Sequence, residues 1–247
     1  MVTGATSGIG RSTAHLLALN GYNLILTGRR EERLSELSEA IRMNANVDVI
    51  SLCFDVCDLS QAEKAVGSLT GKWENIDLLI NNAGLAVGLE PVHAGFVEDW
   101  DRMIDTNVKG LLYISRLISP RMVARESGHI INISSIAGHE AYPNGAAYCG
   151  SKHAVQAITK AMRIELLPFG VKVSSISPGM VDTEFSIVRF KGDAERAGNV
   201  YKGLTPLYAD DIAESILFMA TRPAHVNIDQ MLIMPTDQAS ARDYRRR

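Results

Sequence analysis

Tyr148 and Lys152 stand four residues apart in the stretch Tyr148-Cys149-Gly150-Ser151-Lys152. On a helix that spacing puts both side chains on one face, one turn from each other. A free phenol ionises near about pH 10, too high for a base at neutral pH. An ammonium beside it favours the phenolate, and each tenfold gain in ionisation needs about 1.4 kcal/mol of differential interaction. Helices are full of such pairs, so the spacing alone is weak evidence. It gains weight from Ser135, 13 residues upstream of Tyr148 and just past the apolar run His129–Ile133. A strand there and a helix opening near Ala146 would let the two hydroxyls meet above the carboxyl edge of a sheet.

A second group of residues suits a phosphate-bearing ligand. Thr3-Gly4-Ala5-Thr6-Ser7-Gly8-Ile9-Gly10 precedes an amphipathic helical stretch from Arg11 to about Asn20, which Gly21 ends. A glycine-rich turn at a helix start lets backbone N–H groups approach a pyrophosphate closely. The spacing is G-x-x-x-G-x-G. The run Tyr22–Thr27 reads as a strand and ends in Gly28-Arg29-Arg30, where a dinucleotide-binding unit that prefers NAD carries an acidic residue. The planar fork of arginine suits a phosphate. Arg29 and Arg30 are therefore expected to hold a 2′-phosphate, favouring NADP over NAD; the bland alternative pairs them with Glu31 and Glu32.

Strands alternating with helices argue an α/β fold, a doubly wound parallel sheet of about seven strands with helices on both faces. A helix over about Glu31–Met43 is followed by a strand at Val47–Phe54, with Asp55-Val56 at its carboxyl end. Asp55 either contacts an adenine or caps the helix opened by Asp58 or Ser60. Ile76–Ile80 runs into Asn81-Asn82-Ala83-Gly84, small residues that allow close approach of a ligand. Helical pattern from Glu98 to about Glu126 has its expected break at Pro120 and contains Asn107. A buried amide needs partners, so Asn107 either fixes a bend or holds a water. A helix over Ala146–Leu167 carries Tyr148 and Lys152, and the strand Val171–Ser177 stops at Pro178-Gly179 with Thr183 beyond. Residues 182–207 read as an irregular polar loop with Arg189 in it, by its length either functional or disordered. A helix at Ala209–Ala220 and a strand at Gln230–Met234 close the chain. The first strand, Met1-Val2, is too short for a central strand and reads as truncated.

The 247 residues suit one α/β domain with a sizeable core. A formal charge of −3 excludes nucleic acid or a membrane surface as the main partner on bulk charge, leaving a small-molecule substrate. No apolar run reaches a membrane span, and no metal-ligand spacing links the six histidines and three cysteines. Cys53 and Cys57 read as packing thiols of a reduced, cytoplasmic protein. Arg242 and the tail Tyr244-Arg245-Arg246-Arg247 read as a frayed, solvated terminus.

Taken together, Thr3-Gly4-x-x-x-Gly8-x-Gly10, Asn81-Asn82-Ala83-Gly84, Asn107, Ser135, Tyr148-x-x-x-Lys152 and Pro178-Gly179 resemble the classical short-chain dehydrogenase/reductase family. Asn82–Gly88, Asp105–Asn107, Thr183–Phe190 and Pro223–Ile228 are similar to its branch of NADP-dependent 3-hydroxy acid dehydrogenases, which oxidise serine, allo-threonine and related acids. The resemblance implies Tyr148 as the acid/base, Lys152 lowering its pKa and holding the nicotinamide ribose, and Ser135 orienting the substrate oxygen. It implies Asn107 positioning a water, Gly179 to Thr183, Val181 among them, holding the carboxamide, and Pro178 among the cofactor contacts. It also implies cofactor contacts from Gly4, Thr6, Ser7, Gly8, Ile9, Gly10, Asp55, Val56, Asn82, Ala83 and Gly84, and a homotetramer. Arg189 is nominated as partner of a substrate carboxylate. No basic residue precedes Gly8, a position some NADP-preferring members use. Two other readings stand beside this one, a reductase of neutral ketones, aldehydes or quinones and a cofactor-binding regulator without turnover.

Overall fold

Short strands alternate with amphipathic helices along the computed structural model, which describes residues 1–247. The order is α1 (Gly8–Leu19), β1 (Leu24–Gly28), α2 (Glu31–Asn44), β2 (Val49–Cys53), α3 (Leu59–Gly67), β3 (Leu78–Asn81) and α4 (Val97–Ile104). It continues with α5 (Leu111–Ala124), β4 (His129–Ile133), α6 (Ala146–Leu166), β5 (Lys172–Pro178), β6 (Val181–Asp182), α7 (Phe185–Arg189), α8 (Ala194–Asn199), β7 (Leu207–Tyr208), α9 (Ala209–Ala220) and β8 (Gln230–Ile233).

Strands β1 and β2 pair in parallel, and so do β3, β4, β5 and β8 in that order. The two groups are joined by Met1–Thr3. Val2 bridges Leu26 on one side and Ile80 on the other, and is fully buried. Its N–H donates to Ile25 O at 2.9 Å, while Thr3 N–H donates to Ile80 O at 3.0 Å. The short segment expected to fail as a central strand therefore occupies the centre, because both neighbours supply ladder partners. The resulting parallel order, β2-β1-Val2-β3-β4-β5-β8, reverses direction at the glycine turn, where open α/β sheets bind ligands.

Alternating side chains along each strand feed two cores. Ile25, Leu79, Ile130 and Val173 face α5 and α6, where Ile114, Ile118, Met122 and Val155 are buried. Leu24, Leu26, Ile80 and Ile131 face the other way, onto α1, α2 and α9 through Leu17, Leu34, Ile212 and Ile216. Strands apolar on both faces are what helices on both sides of a sheet require. The apolar stripe of the Glu98–Glu126 stretch is thus mainly core; Ile104 and Leu112 alone of its large apolar side chains stay exposed after Glu98.

Four expectations change. Pro120 does not break α5; the irregularity is a π-helical turn at Asp105–Gly110, between α4 and α5. A wider turn admits an extra residue without ending the helix, and α5 carries Pro120 inside it at the cost of one backbone hydrogen bond. The loop 182–207 is not irregular throughout: β6 and β7 pair at its base, and α7 and α8 lie between them. Cys53 is exposed rather than packed, since β2 is an edge strand with one face outward. The basic tail is tied down, Arg245 pairing with the buried carboxylate of Asp237 at 2.6 Å, which also accepts from Thr205 N–H at 3.1 Å.

Candidate active site

The carboxyl ends of β1, β2, β3, β4 and β5 open into one cleft of about 330 Å³. Of the residues singled out from sequence, Gly4, Thr6, Ser7, Gly8, Ile9, Arg29, Arg30, Asp55, Val56, Asn82, Ala83, Gly84, Ser135, Tyr148, Lys152, Pro178, Gly179, Val181 and Thr183 line it. Gly10, Asn107 and Arg189 stand behind or beside it. Glu184, Phe185, Val188, Leu85 and Thr106 also line it; they lie in the stretches that carry the branch resemblance, which assigns them no individual role.

At one end, α1 starts directly on the glycine turn. A Cβ on Gly10 would lie 2.4 Å from both Gly4 O and Asn82 Nδ2, so the helix packs as close to the turn as bare backbone allows. The side chain of Ser7, the N-cap, makes no capping bond, and the first turn carries no acidic residue. Its leading N–H groups therefore have no side-chain acceptor of their own, the usual condition of an anion site. This end fits a dinucleotide pyrophosphate. Asn82 acts from behind, Nδ2 donating to Thr3 O at 2.8 Å and Gly4 O at 3.1 Å, which fixes the turn against β3.

Beside the turn, Arg30 donates to Thr6 Oγ1 at 2.9 Å and pairs with Glu184 at 3.0 Å. Arg29 pairs with Asp55 at 3.3 Å. Neither arginine pairs with Glu31 or Glu32, which occupy the first turn of α2, where the helix dipole favours them. Asp55 accepts from Cys57 N–H at 3.0 Å, and the cap of α3 is Asp58, which accepts from Gln61 N–H at 3.1 Å.

At the other end, Tyr148 and Lys152 rise from the first turns of α6 and are both buried. Lys152 Nζ donates to Ile133 O at 2.9 Å and stands 5.9 Å from the centroid of the Tyr148 ring. The Ser135 hydroxyl accepts from Ala137 N–H at 3.1 Å, donates to Pro178 O at 3.5 Å, and lines the same cleft as the phenol. Burial pushes the Tyr148 phenol well above its ordinary value and the Tyr142 phenol adds to this, while Ser135 and Arg189 work against it. Burial likewise pulls the Lys152 ammonium down to about 8. In the protein alone, then, desolvation outweighs the expected help of Lys152 to the phenolate. A further positive charge in the cleft is what would bring the phenol down.

Arg189 closes this end. Its guanidinium lies 5.5 Å from the Tyr142 ring and 5.9 Å from the Tyr148 ring, and donates to the Tyr142 hydroxyl at 3.1 Å. Its Nε is buried without a partner. The Phe185 ring packs 5.6 Å from Tyr148 on the same side.

Asn107 sits in the π-helical turn, and its contacts favour the bend over the water. Oδ1 accepts from Leu85 N–H and Nδ2 donates to Leu85 O, both at 2.8 Å, with a third bond to Ser151 Oγ at 3.0 Å. Both of its N–H donors are thus committed to protein. A Cβ on Gly84 would lie 3.2 Å from Asn107 Oδ1 and 3.5 Å from Lys152 Nζ, so a small residue keeps amide and amine close. Asn107→Ala is expected to strand two buried backbone groups of Leu85, at about 1–3 kcal/mol each. For a chain of 247 residues that lowers Tm by roughly 4–24 °C, read by calorimetry; an unchanged Tm would show that Leu85 finds other partners.

Known proteins resemble this chain in sequence and in fold. The family model for short chain dehydrogenase matches residues 1–193. The chain is 46% identical over 242 residues to the NADP-dependent 3-hydroxy acid dehydrogenase YdfG of Salmonella typhi, covering 98% of this chain and 96% of that protein. It is 40% identical over 241 residues to the serine 3-dehydrogenase of Agrobacterium fabrum, covering 98% and 95%. Among solved structures, the closed form of serine dehydrogenase complexed with NADP+ superposes with a TM-score of 0.93 at 43% identity, over 100% of this chain and 98% of that one. Matched from the glycine turn through Tyr148 and Lys152, and alike in sequence over nearly its whole length, this chain belongs to the short-chain dehydrogenase/reductase family.

Proposed function

We propose that the chain is an NADP-dependent dehydrogenase of 3-hydroxy acids, of the serine, allo-threonine or 3-hydroxy carboxylate type. One observation carries the reading: a single cleft joins a turn and arginine fork suited to a phosphorylated dinucleotide to a phenol, an amine and a serine hydroxyl. The relatives named for this activity, and the NADP+ in the serine dehydrogenase structure, support it.

When bound, NADP supplies the hydride acceptor, which the protein itself lacks. Tyr148 takes the alcohol proton in oxidation and returns it in reduction. Ser135, on the same cleft wall, holds the substrate oxygen so that its hydroxyl proton points at Tyr148. Lys152, anchored on Ile133 O, holds the nicotinamide ribose. Pro178, Gly179, Val181 and Thr183 form the wall against the carboxamide.

Arg189 is the carboxylate partner in this reading; its Nε is buried without a partner, and its guanidinium lies 5.9 Å from the Tyr148 ring at the edge of the cleft. Arg189→Ala is expected to raise KM for a 3-hydroxy acid roughly tenfold or more, the worth of a hydrogen bond to a charged group, and to leave a neutral alcohol little changed. Equal effects on both substrates would remove Arg189 from the site.

All 247 residues form one cofactor-binding and catalytic domain in this reading, with 182–207 as its substrate loop. We place the enzyme in the cytoplasm as a homotetramer, by family analogy. No helix is long and apolar enough to cross a membrane. Exposed Leu112, Ile164 and Phe218 offer apolar surface to a second copy, and sedimentation would show a species of four chains.

A further inference from the structure

We propose that Glu184 is an internal stand-in for the 2′-phosphate of the cofactor. Its carboxylate occupies the guanidinium groups of Arg30 and Arg33, and the phosphate of NADP exchanges with it, whereas NAD leaves it in place. Glu184 is thereby a specificity residue, one that tunes the contrast between the two dinucleotides by competing for the cations that would read it. The inference rests on the reading of Arg29 and Arg30 as the 2′-phosphate site.

The geometry is that of an anion bridging two forks. Oε2 of Glu184 accepts from Arg30 Nη1 at 3.0 Å, and Oε1 accepts from Arg33 Nη1 at 2.7 Å. The carboxylate reaches them from the substrate loop, 154 and 151 residues along the chain, and lies on the wall of the cleft itself. Desolvation works to raise the carboxyl pKa, and bonds and charge from Arg30 and Arg33 outweigh it, so the group is held below its ordinary value. The residue is therefore an anion at neutral pH. Arg29 is neutralised in the same way by Asp55. Both arginines at the end of β1 are thus held by carboxylates of the cleft wall, and a phosphate must take them over.

The contact is also weak enough to exchange. The side chains of Arg30, Arg33 and Glu184 are 41%, 43% and 47% exposed, the range in which ion pairs are screened and worth little. A doubly charged phosphate accepting from the same planar forks outcompetes a single carboxylate. A 2′-hydroxyl has no charge with which to do so. Glu184 directly precedes α7, the helix whose last residue is Arg189 over Tyr148. Release of Glu184 therefore frees the near end of the segment that covers the reacting groups.

The test is equilibrium binding of NADP, NAD and adenosine 2′,5′-bisphosphate to the wild-type protein, Glu184→Gln, Glu184→Ala and Arg30→Ala. Glutamine keeps the size of the side chain and removes only its charge. Both Glu184 variants are expected to bind NADP and the bisphosphate about three- to tenfold more tightly, with NAD unchanged within about twofold. The bisphosphate lacks the nicotinamide half, so its gain places the effect at the phosphate rather than at the loop over Tyr148. Unchanged or weaker binding of NADP and the bisphosphate by Glu184→Gln, or an equal gain for NAD, overturns the proposal and makes the pair a simple loop tether. Arg30→Ala separates the two levels. If it leaves the NADP-to-NAD ratio untouched, the phosphate site is elsewhere and both readings fall. If it erases the ratio while Glu184→Gln gains nothing, the phosphate site stands and the stand-in alone is refuted.

Discussion

Tyr148→Phe loses turnover by about 10²–10⁴-fold or more, while affinity for NADP stays within about tenfold. The substitution isolates one oxygen. The ring of Tyr148 is buried in a cluster with Leu85, Ala86, Val87 and Met103 and packs on Phe185, and phenylalanine keeps those contacts. What disappears is the group that exchanges the alcohol proton, together with a hydroxyl that burial had to strip of water. Folding is therefore expected to be no worse, and thermal unfolding of the variant checks this directly. Single-turnover kinetics locate the loss in the chemical step. A variant that kept its turnover would remove Tyr148 as the acid/base. A cofactor-binding regulator, by contrast, would keep its response to a partner with that hydroxyl gone.

Arg30→Ala is expected to reduce the preference for NADP over NAD by about 10–100-fold, measured as the ratio of the two kcat/KM values. Arg29→Ala should do less. Arg29 is 60% exposed and its one ion pair is with Asp55, whereas Arg30 is held across Thr6 and Glu184 at the edge of the glycine turn. A guanidinium that is already oriented loses less freedom on meeting a phosphate. The effect should fall on NADP alone, since the 2′-hydroxyl of NAD makes no charged bond to lose. Preference unchanged in both variants would move the phosphate site away from the end of β1.

Much of the fold and the site is legible in the residues themselves. Strand β3 is a run of apolar residues stopped by Asn81 and β4 is mostly apolar up to Ser134, as burial on both faces requires, whereas β5, with Ser174, Ser175 and Ser177 in it, is marked mainly by Pro178 at its end. The four-residue spacing of Tyr148 and Lys152 translates directly into a shared helix face. The sign of their electrostatics does not, because desolvation depends on how deeply α6 is packed and leaves no mark on spacing. Met1–Thr3 reads as too short because a strand's partners lie far along the chain; Leu26 and Ile80 complete it only in three dimensions. Pro120 draws attention as a breaker, yet the irregular turn forms around Asn107, whose amide is satisfied by the backbone of Leu85. The helices α7 and α8 have five and six residues, too few to show a periodic apolar face. Glu184 is a single acidic residue in a polar loop, and only the fold brings it to Arg30 and Arg33. Tyr142 is similar, an aromatic in a loop until Arg189 is seen lying over it.

The most direct measurement follows absorbance at the reduced-nicotinamide band with NADP and a panel of serine, allo-threonine, other 3-hydroxy acids and neutral alcohols, for the wild-type protein and Tyr148→Phe side by side. Reduced cofactor should accumulate with the 3-hydroxy acids, and the Phe variant should abolish it. Silence with every hydroxy acid while neutral alcohols turn over, or an undiminished signal from the Phe variant, would contradict the assignment of a phenol-driven 3-hydroxy acid oxidation to this cleft.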